Sequence, residues 1–202
     1  MKLLIVDTET SGLDPAENGT LQLAALLCIG SEIHEFSAFM NPGKNVVYEP
    51  EALAVNGLSL EMIEKSEPDT TVYRGFTEWL SRFINRYDPN DKAVMAGYGV
   101  GFDDGFLRAL ATKSGDRFLG SYKWNDLIEI RSLAIMLLHS ERHEMPNFKL
   151  VTVAEVIGGC SVNLILTSMG VALGRPHDAL TDCYIAKYVL DCYLANFDRK
   201  LY

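Results

Sequence analysis

The 202-residue chain is short of cysteine, short of cationic charge and without long apolar runs. Its four cysteines, Cys28, Cys160, Cys183 and Cys192, form no C-x-x-C pair, so a zinc knuckle is unsupported. Each lies in an apolar run, where a reduced cysteine packs as a small hydrophobe; the expected compartment is reducing, and cytoplasmic. No apolar run approaches the roughly 18 residues of a membrane span. The apolar start, Leu3 to Val6, runs straight into Asp7 and is too short for a secretory signal, so no membrane partner is expected. Lys and Arg number 18 against 27 Asp and Glu, a net charge of −9. That excludes a broad duplex-coating surface, which needs many phosphate-facing cations. The deficit is uneven: residues 1–99 hold 7 basic and 15 acidic groups, whereas 100–175 hold 8 of each. Any phosphate contacts belong in the second half. No repeat, low-complexity tract or linker interrupts the sequence, and its length suits one domain, 1–202.

What is present is a core. Apolar residues make up 48%, which excludes compositional disorder. Strand-like runs occupy 2–9, 20–29, 33–40 and 92–97, and turn signals at Asn18-Gly19 and Gly30 to Glu32 join the first three as a meander. Helical spacing follows over 69–87, with apolar Val72, Phe76, Trp79, Leu80 and Phe83 and with Asp69 or Thr70 as N-cap. A short helix over 49–57 is stopped by Gly57, and further helices are predicted at 103–115, 127–141, 149–159 and 178–197. Strands first, then a strand with helices packed on it, favour a mixed α/β sheet.

Three carboxylate motifs stand out. The most buried strand ends in Asp7, with Glu9 two places on and therefore on the same face. Two such carboxylates repel one another and resist desolvation unless a cation neutralises them; the alternative is a pair of solvated turn acids. In "GYGVGFDDGFL" (97–107) a Gly-rich strand end leads to Asp103 and Asp104. This is not a dinucleotide loop, because G-x-G-x-x-G needs glycine where Phe102 stands. One of the two acids is expected to cap the helix and the other to reach into a site. In "RPHDALTDCYIAKYVL" (175–190), His177 and Asp182 converge only if His177 is still in the loop and Asp182 lies in the second helical turn. Pro176, and Asp178 as N-cap, fit that arrangement.

Together these motifs resemble the DEDDh, or DnaQ-like, 3′–5′ exonucleases, a group that includes proofreading exonucleases, oligoribonuclease and ribonuclease T. Asp7 and Glu9 match D-x-E; Phe102, Asp103, Phe106 and Leu107 match F-D-x-x-F-L; His177, Ala179 and Asp182 match H-x-A-x-x-D. The order holds over roughly residues 1–195. One departure is Gly99, where many members carry Asn. The resemblance implies a ribonuclease H-like α/β fold with a central five-stranded mixed sheet flanked by helices, the fifth strand near 121–130. It implies that Asp7, Glu9, Asp103 and Asp182 hold two divalent cations, Mg²⁺ or Mn²⁺, and that His177 is the general base. It also implies that the terminal nucleotide lies near Thr8, Thr10, Gly12, Leu13 and Phe102. The expected activity is hydrolysis of phosphodiester bonds at single-stranded DNA 3′ ends, releasing nucleoside 5′-monophosphates; the alternative is an RNA 3′–5′ exonuclease of the oligoribonuclease or ribonuclease T kind. A non-catalytic binding derivative is disfavoured because all five site residues are present. The chain ends soon after its last helix, so a stand-alone nuclease, or one loosely associated with a DNA polymerase, is expected.

Overall fold

The computed structural model describes residues 1–172 and 177–200, the last four as backbone only. The elements run β1 (Lys2–Thr10), β2 (Thr20–Ile29), β3 (Glu32–Asn41), α1 (Pro50–Asn56), α2 (Leu60–Lys65), β4 (Glu67–Pro68) and α3 (Asp69–Leu80). They continue with β5 (Ala93–Gly97), α4 (Val100–Lys113), β6 (Lys123–Glu129), α5 (Ile130–Leu137), α6 (Leu150–Gly158), α7 (Val162–Ser168) and α8 (Ala179–Lys200). The sheet order is β4-β3-β2-β1-β5-β6. β1, β2 and β3 pair antiparallel, and β5 and β6 add in parallel. The sheet therefore has six strands, not five. The extra one, β4, is two residues long and pairs Glu67 and Pro68 with Met40 and Asn41, too short to leave a periodic signal. The expected fifth strand is β6.

β1 is central, and its alternation distributes the core. Leu4 and Val6 pack with Val72, Tyr73, Phe76, Trp79 and Leu80 of α3 and with Leu107 and Leu110 of α4. Ile5 faces the other way, onto α5, α6, α7 and α8, where it meets Ala134, Val153, Ile165 and Cys183. Full burial of each large apolar side chain contributes about 1.5–3 kcal/mol, so both faces of β1 are covered and its register is fixed. Gly97 lies where β5 closes on β1: a Cβ there would come within 2.8 Å of the Val6 carbonyl.

Several boundaries differ from expectation. The Asn18-Gly19 pair does not close a tight hairpin; residues 11–19 form a longer loop, held by Ser11 N–H to Gly19 O at 2.9 Å and by Asn18 Nδ2 to the Val47 carbonyl at 3.0 Å. Asp69 does not cap α3. It is the first helical residue, and its Oδ2 is 2.6 Å from Lys113 Nζ. α3 also stops at Leu80, and the apolar residues beyond it, Phe83 and Ile84, reach the core from turns instead. α4 begins three residues earlier than predicted, from Gly99 in the left-handed region at φ 92, so neither Asp103 nor Asp104 caps it. α5 is shorter than predicted because 127–129 belong to β6. Pro176 lies outside the described residues. Among those described, no single helix is long and apolar enough to cross a membrane.

Candidate active site

The alternation that builds the core also builds the site. Asp7 and Glu9 continue the Ile5 face of β1 and point towards α8, which supplies Asp182 from its first turn, one turn earlier than expected. Asp7, Glu9 and Asp182 each offer a carboxylate oxygen within 4.8 Å of the others. Thr8 lies on the opposite face, towards α4. Its N–H and its hydroxyl both donate to Asp103 Oδ1, at 2.9 and 2.8 Å. Asp103 is thus seated against the strand from the other side and lies outside the group of three, while its charge still acts on Asp7 and Glu9.

Burial and crowding make these acids hold protons. Asp7 is pushed well above the usual carboxylate range, first by burial and then by Asp103, Asp182 and Glu9. Glu9 is pushed up to about 8 by burial, with Asp182, Asp178 and Asp103 adding to it. Asp103 reaches about 7 through burial, against the pull of the Thr8 bonds. Asp182 reaches about 6 through burial, with His177 acting in the opposite sense. Among the described residues no lysine or arginine pairs with any of the four. Asp104, one place along α4, is the contrast. Burial acts against its ionisation too, yet Lys123 at 2.7 Å and Arg108 at 2.6 Å hold it low. An all-oxygen, unpaired acidic group of this kind fits a hard divalent cation, which displaces the protons.

α8 is aligned by contacts that sequence motifs alone did not reveal. Gln22 lies opposite Glu9 in the β1–β2 ladder. Its Nε2 donates to Asp178 Oδ1 at 2.8 Å, and its Oε1 accepts from the Ala179 N–H at 3.3 Å. Asp178 in turn accepts the Thr181 N–H on Oδ2 at 3.2 Å, the capping bond expected of it. The only hint was a lone glutamine in the apolar run "TLQLAALL". The Cys183 thiol donates to the Ile5 and Ala24 carbonyls at 3.8 and 3.6 Å, which seats Asp182's turn on the sheet. His177 stands in the turn before α8 with an exposed side chain and φ 54, a left-handed conformation uncommon for a residue with a Cβ. It is among the groups that act on Asp182, so the imidazole borders the acidic group.

Beside the acids lies a cavity of about 300 Å³ whose lining includes Thr8, Glu9, Thr10, Gly12, Leu13 and Phe102 from the motifs, with Glu49, Glu51, Val55 and Asn56 from the α1 region. Leu13 is 76% exposed and Phe102 39%, so apolar surface is presented at the rim. Gly12 is required there: a Cβ would sit 2.3 Å from Asn18 Nδ2 and 2.4 Å from Glu49 Oε1. Thr10 Oγ1 donates to the Gly12 carbonyl at 2.6 Å, and Asn56 Nδ2 donates to the Thr10 carbonyl at 3.1 Å. The rim is thereby tied to both β1 and α1.

A mixed sheet thus carries an acidic group without cationic partners at the end of its central strand, with an apolar-rimmed cavity beside it. A family model described as Exonuclease (RNase T type) matches residues 4–190. The chain belongs to that exonuclease family, of the DEDDh class. It is 22% identical over 186 residues to the PolC-type DNA polymerase III of Listeria innocua, covering 92% of this chain and 11% of the polymerase. It is 23% identical over 191 residues to that of Bacillus subtilis, covering 93% and 11%. The chain therefore spans about a tenth of these relatives. Its fold is similar to a zinc-bound Escherichia coli exonuclease I complex with single-stranded DNA (TM-score 0.71, 17% identity, 99% of this chain and 41% of that one). It is also similar to a 3′-exonuclease in a structure of histone mRNA stem-loop recognition (TM-score 0.68, 16% identity, 96% and 64%).

Proposed function

We propose that residues 1–202 form a single metal-dependent 3′–5′ exonuclease domain that releases nucleoside 5′-monophosphates from single-stranded 3′ ends. The observation that carries this is the convergence of Asp7, Glu9 and Asp182 within 4.8 Å beside a cavity rimmed by Leu13 and Phe102. Two divalent cations, Mg²⁺ or Mn²⁺, would be held by these acids and Asp103. When bound they make water nucleophilic at neutral pH and stabilise the leaving 3′ oxygen. His177 takes the proton of the attacking water on an imidazole nitrogen, a role that its unhindered position in the turn allows. Leu13 and Phe102 contact the terminal base, and Thr8, Thr10 and Gly12 shape the floor beneath its sugar.

DNA is the favoured substrate. Support comes from the single-stranded DNA complex of exonuclease I and from the polymerases whose matching tenth corresponds to this chain; the latter also support association with a DNA polymerase. The 3′-exonuclease of the histone mRNA structure favours the second reading, an RNA substrate. The four cysteines are unbridged, which supports the cytoplasm as its compartment. The test is digestion of 3′- and 5′-labelled single-stranded DNA and RNA with Mg²⁺ or Mn²⁺. Mononucleotide release from the 3′ end, faster on DNA, is expected; release from the 5′ end, or none, would overturn the reading.

A further inference from the structure

We propose a second binding surface for single-stranded nucleic acid, formed by residues 82–92 and 117–124 at the far end of the sheet from the acidic site. It rests on the reading above that the substrate is nucleic acid, and extends it to the strand upstream of the 3′ end. Three large aromatic side chains stand in solvent there: Tyr87 is 87% exposed, Phe118 62% and Trp124 38%. Cations are interleaved with them. The Arg86 guanidinium lies 5.8 Å from the Tyr87 ring, 5.4 Å from Phe118 and 5.4 Å from Tyr122. Lys92 Nζ lies 5.1 Å from the Trp124 ring and donates to the Gly120 carbonyl at 2.7 Å.

Charge identifies the occupant. Among the described residues, none of Arg82, Arg86, Lys92 and Arg117 is in an ion pair, although the chain carries −9. Of the three carboxylates in these loops, two are engaged elsewhere. Asp91 pairs with Lys2, and Asp116 accepts the Tyr73 hydroxyl and the Phe118 N–H, each at 2.7 Å. Asp88 accepts the Asn90 N–H at 2.9 Å and remains exposed. Cations that bond only neutral groups, next to exposed rings, complement a polyanion whose bases present open faces, which is a single strand and not a duplex. Arg86 is already held on its rings, so less freedom is lost on binding.

The geometry links this surface to the acids. β5 and β6 start at it, with Ala93 and Lys123, and end beside α4, with Gly97 and Glu129. Five strand residues span about 16 Å, and β6 is the last strand of the sheet, so a single strand seated at the acids has that span to cover, past Asp126 of β6. A trimer seated at the acids would not use the surface, whereas a 20-mer would.

The experiment measures binding of 5′-fluorescein thymidylate 20-mer in EDTA, and Mn²⁺-dependent hydrolysis of the 20-mer and of a trimer, for the parent and for Phe118→Ala, Trp124→Ala and Arg86→Gln. Each aromatic removal is expected to weaken 20-mer binding roughly tenfold and to raise its KM, with trimer hydrolysis unchanged. Arg86→Gln is expected to lower the salt dependence of 20-mer binding by about one phosphate contact. Unchanged 20-mer binding in all three variants would overturn the proposal and leave the face to a protein partner. Equal losses on trimer and 20-mer would overturn it as well, because they would report damage to the fold. A parent that binds the 20-mer through these residues but hydrolyses neither substrate would refute the exonuclease reading alone.

Discussion

The Gly99 N–H donates to Glu129 Oε1 at 2.8 Å, and the same oxygen accepts the Arg131 N–H at 3.0 Å. One carboxylate oxygen thus joins the start of α4 to the start of α5 across the ends of two parallel strands. Gly99 stands where the motif usually has Asn; what fixes the turn here is the backbone of Gly99 and the side chain of Glu129. Because Asp103 lies one turn into α4, Glu129 sets its position indirectly.

Glu129→Ala should therefore destabilise the fold by about 1–3 kcal/mol, the scale of a lost helix cap with two orphaned N–H groups. Glu129→Gln keeps an acceptor oxygen and should recover most of that. Urea unfolding of the three proteins decides it; equal stability of the Ala variant and the parent would mean that the joint is incidental.

The acidic group predicts an unusual pH profile. Glu9, Asp103 and Asp182 titrate near 8, 7 and 6 when folded, and Asp7 is also raised. Unfolded, they titrate near the ordinary 3.8 to 4.5. The folded state therefore binds more protons between about pH 4 and 8, so metal-free stability is present below that window and is lost as pH rises through it. Mn²⁺ should reverse the trend by replacing protons with a cation. Thermal melts in EDTA at pH 5.5 and 8 should give a lower Tm at pH 8, and Mn²⁺ should raise Tm more at pH 8 than at 5.5. Asp7→Ala should be at least as stable as the parent in EDTA and should gain little from Mn²⁺.

His177 offers a separable test. His177→Ala should slow hydrolysis by roughly 10²–10⁴ while leaving Mn²⁺ stabilisation largely intact. His177→Gly should be as inactive and at least as stable as the Ala variant, since φ 54 suits glycine better than any residue with a Cβ. Wild-type rates for the Ala variant across pH 6–9 would remove His177 from the chemistry.

Gly12→Ala should raise KM more than it lowers kcat. The added Cβ meets Asn18 and Glu49, and Asn18 cannot yield, because its side chain bonds the Asp14 N–H at 2.9 Å and the Val47 carbonyl. The loop must lift, and Leu13 with it. Steady-state kinetics on a short oligonucleotide would show the split; an unchanged KM would exclude Leu13 from substrate contact.

The residues legible from sequence were those whose chemistry contradicts their surroundings. Asp7 ends an apolar run, and Asp182 sits among "CYIAKYVL". The meander and the amphipathic α3 were legible because burial on one face leaves a period. α2 and α7, six and seven residues long, left too short a period to be read; α1, equally short, was read from the Gly57 stop. The capping roles of Asp69 and of one of the Asp103-Asp104 pair were misread because α3 already begins with Asp69 and α4 begins after Gly99, which leaves those carboxylates to Lys113, Thr8 and Lys123. Gln22 and Glu129 act by hydrogen bonds across the sheet, and no local pattern records such bonds.

Asp7 and Asp182 meet across 175 intervening steps of chain. Synthesis at 5–20 residues per second separates their appearance by roughly 10–35 s. Through that interval β1 carries its acids without their partner, and α8 must still dock on β1 and β2. Within residues 1–202, assembly of the acidic group therefore waits for α8, and a chain interrupted before residue 182 lacks one of its three carboxylates.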